Sequence, residues 1–450
     1  MALARLQPLS GWGRFPVQAC RLYRPEKRSE LAEVLRSHPA GGCVSRGLGR
    51  AYGDAALNQD GGVVSHLRLN RLLDFDPATG VLECEAGVSF AEILATFLPR
   101  GWFLPVTPGT KFVTVGGAVA ADVHGKNHHR DGTIARFVER LTLLTPARGV
   151  LHCSPDENTE VFWATVGGMG LTGAILAVRL RLAPVESAYV TVDEERTPHV
   201  DAALERFAES DDGYRYSVAW IDCLATGRAL GRGVLMRGNH APAAQARGRD
   251  PLALPHRRGT RVPVELPAGT LNRFSVAAFN RLYRAAHPDR AGRLVDLDAF
   301  FYPLDAVRDW NRLYGRRGFV QYQAVLPLER GRDGMVRLLE ALAASRRPSF
   351  LAVLKRFGDA NPGLLSFPLA GYTLALDLPV AAGLVEFVHG LDRVVLEHGG
   401  RVYLAKDATL TPASFAAMYP QAERFRAVKA ELDPEGVLTS SLARRVGLAP

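Results

Sequence analysis

Three glycine-rich segments give the N-terminal part of the chain the composition of a site for a large anion. They are SRGLGRAYGD at 45–54, TPGTKFVTVGGAVAADVHGKNHH at 107–129 and VGGMGLTG at 166–173. Glycine lets backbone N–H groups approach a diphosphate closely, because no Cβ intervenes and φ can be positive. One such segment is usually an ordinary tight turn. Three of them, each beside an apolar stretch typical of a strand, favour a large anionic cofactor.

The third segment contains a GxGxxG pattern that does not indicate a nicotinamide dinucleotide. Gly168, Gly170 and Gly173 have the required spacing. The Rossmann fingerprint, however, needs a strand before the glycines and a helix after them. Here ENTEVFWATVGG predicts a helix that enters the glycines, and AILAVRLRLAP predicts a strand that leaves them. We therefore exclude the Rossmann interpretation.

A lysine and a histidine have side chains suited to proton chemistry. Lys406 lies in YLAKD, where a desolvated ammonium group could stabilise an alkoxide or act as a base; the alternative is a surface lysine paired with Asp407. His124 could orient a ligand or relay a proton, or be a structural histidine. Together with His128 and His129 it resembles a metal site, but no carboxylate or cysteine is spaced to complete the ligand set. We predict no metal.

Polar side chains on two predicted strands could contact a substrate. Gln321 and Gln323 alternate along FVQYQAVLP, so both face one side of the strand and could bind sugar hydroxyls. Lys355, on the following strand, could meet a phosphate. Tyr52 and Lys126 could contact cofactor or substrate. For each of them a structural role, in packing or on a half-exposed sheet face, stays open.

Length and composition describe a folded chain of more than one core. The chain has 450 residues, of which 47% are apolar and 22% charged, so disordered, collagen-like and coiled-coil classes are excluded. The five cysteines, at positions 20, 43, 84, 153 and 223, are scattered and form no CxxC pair, which argues against disulfides. The longest uncharged stretch, near 361–376, is broken by Pro and Gly, and the first residues lack the apolar core of a signal peptide. We expect a cytoplasmic protein without a membrane span.

The texture of the sequence changes near residue 188. Before it, short β-like runs alternate with helical patches such as SFAEILATFLPRG. After it, YVTVDEERT, YRYSVAWIDCL, FVQYQAVLP and GYTLALDLP read as antiparallel strands with helices between them. We predict an α+β protein with domains at 1–187 and 188–398. A C-terminal segment at 399–450, with one strand, one helix and a terminal loop, would return to the first domain. An Arg-rich stretch near 240–268 is interpreted as a mobile loop.

The order of the motifs resembles the vanillyl-alcohol-oxidase flavoprotein superfamily. RGLGRAYGD is followed by TVGGAVAADVHGKNHH and then by VFWATVGGMGLTG. The resemblance implies a PCMH-type FAD-binding fold: FAD lies extended between two α/β subdomains, and an antiparallel substrate domain caps it. HGKNHH, SFP followed by GYTLALDLP, YLAKD and AMYP are similar to one branch, which oxidises a polyprenylphosphoryl ribose. This narrower resemblance extends over most of the chain and is weakest in the Arg-rich stretch.

By motif position, the resemblance implies a set of FAD contacts. They are Ser45, Arg46, Gly47, Leu48, Gly49, Arg50, Ala51, Tyr52, Gly53, Asp54, Ala55, Gly109, Thr114, Val115, Gly116, Gly117, Ala121, Asp122, Val123, His124, Ile175 and Tyr403. Two positions depart from the relatives. Many of them link the flavin covalently to a histidine where this chain has Arg50, so we predict non-covalent FAD. A cysteine of the mycobacterial enzymes is replaced by Ala375, which alters the expected pocket and ligand preference.

The resemblance also implies a reaction and its partners. Oxidising a secondary alcohol needs a hydride acceptor and a group that takes the hydroxyl proton. We expect Lys406, His124 and Tyr52 in catalysis, and Lys126, Gln321, Gln323, Lys355 and Lys406 around the substrate. The expected reaction is oxidation of the 2′-hydroxyl of polyprenylphosphoryl-β-D-ribose to a keto sugar. A separate NAD(P)H-dependent keto-reductase would then complete an epimerisation that supplies arabinose for cell-envelope polysaccharide.

A net charge of +9 favours an anionic partner. We expect the Arg-rich stretch to hold the protein loosely at an acidic membrane surface, where each arginine contributes about 1 kcal/mol. The alternative is a soluble insertion with incidental arginines. No nucleic-acid motif and no aromatic interleaving accompany the arginines, so nucleic acid is not expected. Two rival functions stay open: a soluble aldonolactone or alditol oxidase using oxygen, and a basic binding protein without catalysis.

Overall fold

A computed structural model describes residues 4–246, 248–255, 259–267 and 269–449. Mixed helices and antiparallel sheets confirm the α+β class. Three arginines of the Arg-rich stretch, Arg247, Arg257 and Arg258, lie outside the described residues. Within those residues, no helix is both long and apolar enough to cross a bilayer.

The N-terminal region contains two main sheets. Its strands are β1 (Arg5–Ser10), β2 (Val17–Tyr23), β3 (Cys43–Arg46), β4 (Gly62–Ser65), β5 (Leu72–Asp76), β6 (Val81–Glu85), β7 (Trp102–Phe103), β8 (Val138–Thr145), β9 (Gly149–Cys153), β10 (Ala174–Arg181) and β11 (Ala183–Pro184). Its helices are α1 (Arg28–Arg36), α2 (Phe90–Phe97), α3 (Val115–Ala120), α4 (His128–Asp131) and α5 (Thr159–Thr165). One sheet has the order β1-β2-β4-β3 and the other β5-β6-β10-β8-β9. The helix α5 before the third glycine segment and the strand β10 after it confirm that this segment is not a Rossmann turn.

Local sequence fixes the two helices nearest the glycine segments. Ser89 and Glu92 form a reciprocal capping box at the start of α2, and the apolar residues of that helix face the core. Thr114 caps α3 by accepting a hydrogen bond from the N–H of Gly117. The small residues of α3 allow its first turn to pack directly on the end of β6, where the Gly116 N–H donates to the Ala86 carbonyl.

The rest of the chain builds one large sheet and one separate pair of short strands. Its strands are β12 (Tyr189–Thr197), β13 (Tyr216–Ile221), β14 (Gly233–His240), β15 (Thr260–Arg261), β16 (Arg290–Asp296), β17 (Val307–Arg308), β18 (Phe319–Pro327), β19 (Ala352–Phe357), β20 (Gly371–Pro379) and β21 (Arg401–Val402). Its helices are α6 (Val200–Ser210), α7 (Arg273–Ala286), α8 (Leu297–Phe301), α9 (Leu328–Ser345), α10 (Leu384–Glu397), α11 (Pro412–Met418), α12 (Ala422–Leu432) and α13 (Ser441–Arg445). The large sheet is antiparallel, with the order β16-β12-β14-β13-β19-β20-β18-β21, and β15 pairs with β17 in a separate parallel sheet.

The two faces of this sheet have different surroundings. Helices α6, α9 and α10 pack against one face. On β18 the side chain of Tyr322 points to that face, where its hydroxyl donates to Asp392 of α10. Gln321 and Gln323, which alternate with it, therefore point to the opposite face. One hydrophobic core cluster contains residues of the N-terminal sheets and of this sheet, so the two regions share a core.

The C-terminal segment differs from the sequence prediction of a single helix. It forms α11, α12 and α13, because Pro420 separates the first two and Pro434 follows the end of the second. Its first residues belong to the large sheet through β21. Its last part lies against the N-terminal region: Leu438 forms a bridge with Cys43, and the Ser441 N–H donates to the Leu57 carbonyl.

Candidate active site

A cavity of about 310 Å³ lies between the glycine segments and the face of the large sheet opposite α6, α9 and α10. The loop at 45–52, the start of α3 and the turn after α5 line one side. Strands β18, β19 and β20, with the loop after β21, line the other. Residues separated by more than 300 positions therefore meet in one site.

The first glycine loop offers unpaired donors to this cavity. Within the described part of the chain, the backbone N–H groups of residues 47–51 donate to no acceptor. Gly49 has a φ of +66°, and a Cβ there would lie 2.3 Å from the Arg46 guanidinium. The Arg46 guanidinium holds the loop in place, because it donates hydrogen bonds to the carbonyls of Ser10 (2.7 Å) and Ala56 (3.1 Å). This loop fits a diphosphate group.

Helix α3 contributes a surface without side chains to the cavity, and the N–H groups of its first turn are already hydrogen-bonded. The N–H groups of Val115, Gly116 and Gly117 have acceptors in Val88, Ala86 and the Thr114 hydroxyl. Gly117 is nevertheless exposed to the cavity between buried neighbours. A side chain at that position would project into the space that the loop at 45–52 faces.

The strand register places the predicted polar residues on one face. Gln321 lies opposite Asp377, and Gln323 lies opposite Ala375, which in turn pairs with Val353 of β19. Two positions along β19 from Val353, Lys355 faces the same way. Gln321, Gln323, Lys355 and Ala375 all line the cavity.

Lys406 lines the cavity and is not a surface lysine paired with its neighbour. Its neighbour Asp407 accepts hydrogen bonds from the N–H groups of Thr409 and Leu410 and pairs with Arg445 at 2.9 Å. Burial lowers the pKa of Lys406, and the charge of Asp377 opposes part of that shift. The amine can therefore exchange a proton closer to neutral pH than an ordinary lysine does.

Asp377 is a buried acid that the sequence analysis did not single out. Its carboxylate accepts hydrogen bonds from the Gln321 amide (2.5 Å) and the Tyr314 hydroxyl (3.2 Å). Burial raises its pKa, while these hydrogen bonds and Lys406 oppose the shift. One signal in the sequence could have identified Asp377: it is the single acid in the largely apolar segment GYTLALDLP, two positions after Ala375.

His124 lies beside the predicted substrate residues and is uncharged at neutral pH. Its Nε2 atom is 3.0 Å from the Gln323 amide nitrogen, so the amide donates to the imidazole. Burial lowers the pKa of His124 well below its usual value, and Lys355, His128 and Lys406 lower it further. A neutral imidazole accepts a hydrogen bond at one ring nitrogen and donates one from the other without adding charge to the cavity.

The two other predicted lysines have different positions. Burial, with Lys406 and Lys126 nearby, lowers the pKa of Lys355 to about 7. Burial alone lowers the pKa of Lys126 to about 7, but this side chain does not line the cavity. Its ammonium group instead donates to the Phe300 carbonyl and lies 4.1 Å from the Phe300 ring centroid.

Four of the predicted FAD contacts lie away from the cavity. The Asp54 carboxylate pairs with Arg445, and the Asp122 carboxylate accepts hydrogen bonds from Asn361 and Ser366. Val115 is fully buried in the core. Gly53 lies too close to the Asp407 carbonyl for any side chain. The remaining predicted contacts line the cavity: Ser45, Arg46, Gly47, Leu48, Gly49, Arg50, Ala51, Tyr52, Ala55, Gly109, Thr114, Gly116, Gly117, Ala121, Val123, His124, Ile175 and Tyr403.

The cavity rim also contains residues that sequence reasoning missed. The Arg50 guanidinium lies 3.8 Å from the Trp12 ring centroid, and Trp12 is 5.8 Å from Trp310. Asp305 accepts hydrogen bonds from Thr110 and from the Lys111 N–H. His66, Met169 and Leu351 are further lining residues. Nothing local in the sequence marked Trp12, Trp310 or Asp305, because they come from distant segments, whereas Met169 lies inside the third glycine segment.

The histidines of HGKNHH are separated by the fold. The rings of His124 and His128 lie 6.4 Å apart, and His128 accepts a hydrogen bond from the Gly358 N–H. The His129 ring instead bonds the Tyr214 carbonyl. Among the described residues, no group of three or more His, Cys, Asp or Glu side chains is placed to hold a metal ion.

Comparisons with known proteins agree with this geometry. The model of an FAD binding domain matches residues 21–154, and that of D-arabinono-1,4-lactone oxidase matches residues 378–446. These matches, the fold and the site define an FAD-dependent oxidoreductase that acts on CH–OH groups.

Full-length relatives refine this class. Decaprenylphosphoryl-beta-D-ribose oxidase of Mycolicibacterium smegmatis is 39% identical over 98% of this chain and 97% of its own length. An uncharacterized protein of Streptomyces coelicolor is 41% identical over 80% of this chain and 100% of its own length. L-gulono-1,4-lactone dehydrogenase of Mycobacterium tuberculosis is 24% identical over 97% of this chain and 98% of its own length. The chain belongs to the family of decaprenylphosphoryl-β-D-ribose oxidase.

The cofactor of the protein is FAD, and the cavity fits it. The unpaired amides of residues 47–51 would hold its diphosphate, and the bare surface at Gly117 leaves room for its close approach. FAD, when bound, supplies the acceptor for a hydride. Lys406, His124 and Gln323 would then lie on the sheet side of the cofactor site.

Proposed function

We propose that this chain oxidises the 2′-hydroxyl of a polyprenylphosphoryl-β-D-ribose to a ketone. The 2′-carbon loses a hydride and the hydroxyl loses a proton, so a C=O bond forms. The observation that carries the proposal is the cluster on the sheet side of the cavity, where Lys406 and Lys355 accompany Gln321 and Gln323. The relative from Mycolicibacterium smegmatis supports the choice of substrate by its name.

Lys406 is the proposed acceptor of the hydroxyl proton. Burial lowers its pKa, so a fraction of the amine is neutral near pH 7 to 8. Asp377 lies close enough to oppose that shift, and its own buried carboxyl has a raised pKa. One proton can therefore lie either on the Lys406 amine or on the Asp377 carboxylate. In both cases the pair as a whole carries no net charge.

The remaining polar groups orient the sugar lipid. Gln323 already bonds His124 and the Thr373 hydroxyl, which fixes its amide plane. Gln321 is fixed by Asp377. Lys355 has a pKa of about 7 in the cavity, and a substrate phosphate beside it would favour its charged form. We assign Gln321, Gln323 and Lys355 to the sugar and its phosphate.

His124 and Tyr52 have supporting roles in this proposal. His124 is neutral, and because its Nε2 accepts the Gln323 amide hydrogen, its Nδ1 carries the ring hydrogen and can donate a hydrogen bond to a bound substrate. Tyr52 lies 5.4 Å from the Lys406 ammonium, measured to its ring centroid, and packs on Phe319. Burial raises the pKa of Tyr52 far above neutrality, so its hydroxyl acts as a hydrogen-bond donor and not as a base.

An epimerisation that passes through a ketone requires a second reaction, which reduces the ketone. We place this chain in the first half of a 2′-epimerisation, with a separate NAD(P)H-dependent keto-reductase supplying the second half. The product, an arabinose lipid, would serve cell-envelope polysaccharide synthesis. We also propose that the domain boundaries lie at residues 187 and 398. FAD is proposed to bind without a covalent link.

We further propose that the protein works in the cytoplasm, held loosely at the inner membrane surface by the stretch at 240–268. The lipid tail of the substrate lies in the bilayer, so the site must meet it there. Replacing Arg247, Arg249, Arg257 and Arg258 by glutamine should weaken pelleting with acidic vesicles and leave bound FAD unchanged. Equal pelleting of the variant would remove the arginines from membrane attachment.

A second candidate substrate is a soluble aldonolactone. The match of residues 378–446 to the D-arabinono-1,4-lactone oxidase model favours it, because this segment contains Lys406. The two lysines in the cavity favour the phosphorylated lipid instead, since a neutral lactone offers no anion to Lys355.

Anaerobic titration distinguishes the two substrates. The purified FAD protein is mixed without oxygen with detergent-dispersed polyprenylphosphoryl ribose, free ribose, polyprenyl phosphate or L-gulono-1,4-lactone, and loss of the flavin absorbance is recorded. We expect bleaching by polyprenylphosphoryl ribose alone. Bleaching by the lactone alone would establish the second candidate, and colour that no sugar bleaches would favour a binding protein without catalysis.

A further inference from the structure

The outer face of α7 carries apolar side chains that the rest of the described structure leaves uncovered. Phe274 is 69% exposed and Leu282 is 70% exposed. They lie eight residues apart, so they share one stripe of the helix with Ala278 between them. We call Phe274, Ala278 and Leu282 the outer stripe. Isolated exposed apolar residues are common, whereas two large ones on a single helical stripe raise the question of what covers them.

The opposite side holds α7 firmly in place. The Asn272 side chain caps the helix, and Asn280 donates to Asp222 at 2.7 Å. Phe279 packs on Phe350 with 4.5 Å between ring centroids, and Tyr283 packs on Trp220 at 4.7 Å. The outer stripe is therefore presented by an anchored helix, not by a frayed end.

Positive charge surrounds the stripe. Helix α7 contains Arg273, Arg281 and Arg284 and no acidic residue. Neither Arg273 nor Arg281 forms an ion pair with any acid that the structure describes. Over residues 240–290 the sequence has nine arginines against three acids, a net charge of +6 out of +9 for the chain. An apolar stripe flanked by arginines fits the surface of an anionic bilayer.

The inner side of α7 is connected to the cavity lining by packing. Leu271, next to the start of α7, and Phe350 pack in one cluster with Trp310 and Trp12, and both tryptophans line the cavity. A membrane on the outer stripe would therefore be separated from these cavity-lining tryptophans by α7 and this cluster. A second copy of this chain fits less well, since a symmetric contact would bring the same arginines face to face.

We infer that the outer stripe of α7, with Arg273 and Arg281, is a membrane-docking surface for anionic lipid. The surface itself follows from the exposed side chains and charge and does not rest on the proposed function.

Vesicle sedimentation of the full-length FAD protein, without substrate, tests this. Vesicles of phosphatidylcholine with phosphatidylglycerol are compared with phosphatidylcholine alone. The F274S/L282S variant should lose at least about tenfold in partitioning, because two large side chains no longer leave water. R273Q/R281Q should lose about thirtyfold on the anionic vesicles, from about 1 kcal/mol for each arginine. The L6S/V17S variant is the matched control, because Leu6 is 62% and Val17 61% exposed on another surface.

The outcomes separate docking from the enzyme reaction. All three variants should keep bound FAD and the unfolding temperature of the unchanged chain, and detergent-dispersed sugar lipid should still bleach F274S/L282S. Equal loss in F274S/L282S and L6S/V17S, or no loss in either, overturns the docking surface. A change of F274S/L282S from dimer to monomer with unaltered vesicle binding would overturn it in favour of a contact between copies. Failure of any sugar lipid to bleach the unchanged protein refutes the proposed function and leaves the docking result standing.

Discussion

Replacing Gly117 by valine probes the closeness of the cofactor to α3. The position faces the cavity in the first turn of the helix, and its N–H already donates to the Thr114 hydroxyl at 3.3 Å. A Cβ there would have the Thr114 hydroxyl oxygen, at 3.0 Å, as its one close neighbour in the chain. The added carbons would therefore fill space that belongs to the ligand and not to the protein.

The size of the effect follows from these contacts. Valine and glycine differ by only a few tenths of a kcal/mol in helix propensity, so the FAD-free protein should keep its stability to within about 1 kcal/mol. Forcing extra carbon atoms into a packed contact costs about 1 to 3 kcal/mol. If FAD approaches as closely as proposed, its dissociation constant should rise by roughly 10- to 100-fold, since 1.4 kcal/mol is a factor of ten.

Quenching of flavin fluorescence during titration of FAD-free protein measures the affinity, and thermal unfolding measures the stability. Gly213→Val is the control, because a Cβ at Gly213 has no neighbour within 4 Å and the residue lies outside the cavity. Gly116→Val is the contrast: its Cβ would lie 2.7 Å from the Ala86 Cβ, so the protein itself should lose stability. An FAD affinity of Gly117→Val equal to that of the unchanged chain would refute the placement of the cofactor against α3.

Three further predictions concern catalysis, the flavin link and pH. Lys406→Met should keep bound FAD but slow its anaerobic reduction by the sugar lipid about 10²- to 10⁴-fold, the usual contribution of a positioned base; near-normal reduction would remove Lys406 from the mechanism. Acid precipitation should release all flavin into the supernatant, because Arg50 has no ring nitrogen for a covalent bond; yellow precipitate would contradict this. Lys355, with a pKa of about 7 when folded and about 10.4 when unfolded, binds fewer protons in the folded state between these values, so it makes the free energy of unfolding rise with pH over that window. Chemical denaturation of FAD-free Lys355→Met should show a smaller rise, and an unchanged slope would mean that Lys355 is not buried.

The elements of the site that the sequence predicted are those with local signals. The glycines at 45–54 mark their own loop, since Gly49 must adopt a positive φ. The two-residue period of FVQYQAVLP placed Gln321 and Gln323 on one face without any knowledge of their partners. The family resemblance, not periodicity, gave prominence to Lys406, which lies in a loop after β21.

What the sequence missed depends on long-range packing. Trp12 and Trp310 meet across the rim although almost 300 positions separate them. Lys126, in the same motif as His124, was expected near the substrate, but it turns toward the Phe300 carbonyl because α8 lies beside it in the fold. The tail was predicted with one helix, but it contains three, because Pro420 and Pro434 interrupt the helical backbone.

Arg445 explains why the C-terminal segment must close on the N-terminal region for the site to exist. Its guanidinium pairs with Asp54, just after the first glycine loop, and with Asp407, next to Lys406. It also donates to the Leu410 carbonyl at 2.7 Å. One side chain of α13 therefore ties the loop that would hold the diphosphate to the loop that carries the proposed base. Asp54 was expected to contact FAD, but its place in this ion pair makes it a positioning residue, which acts on the cofactor loop through Arg445.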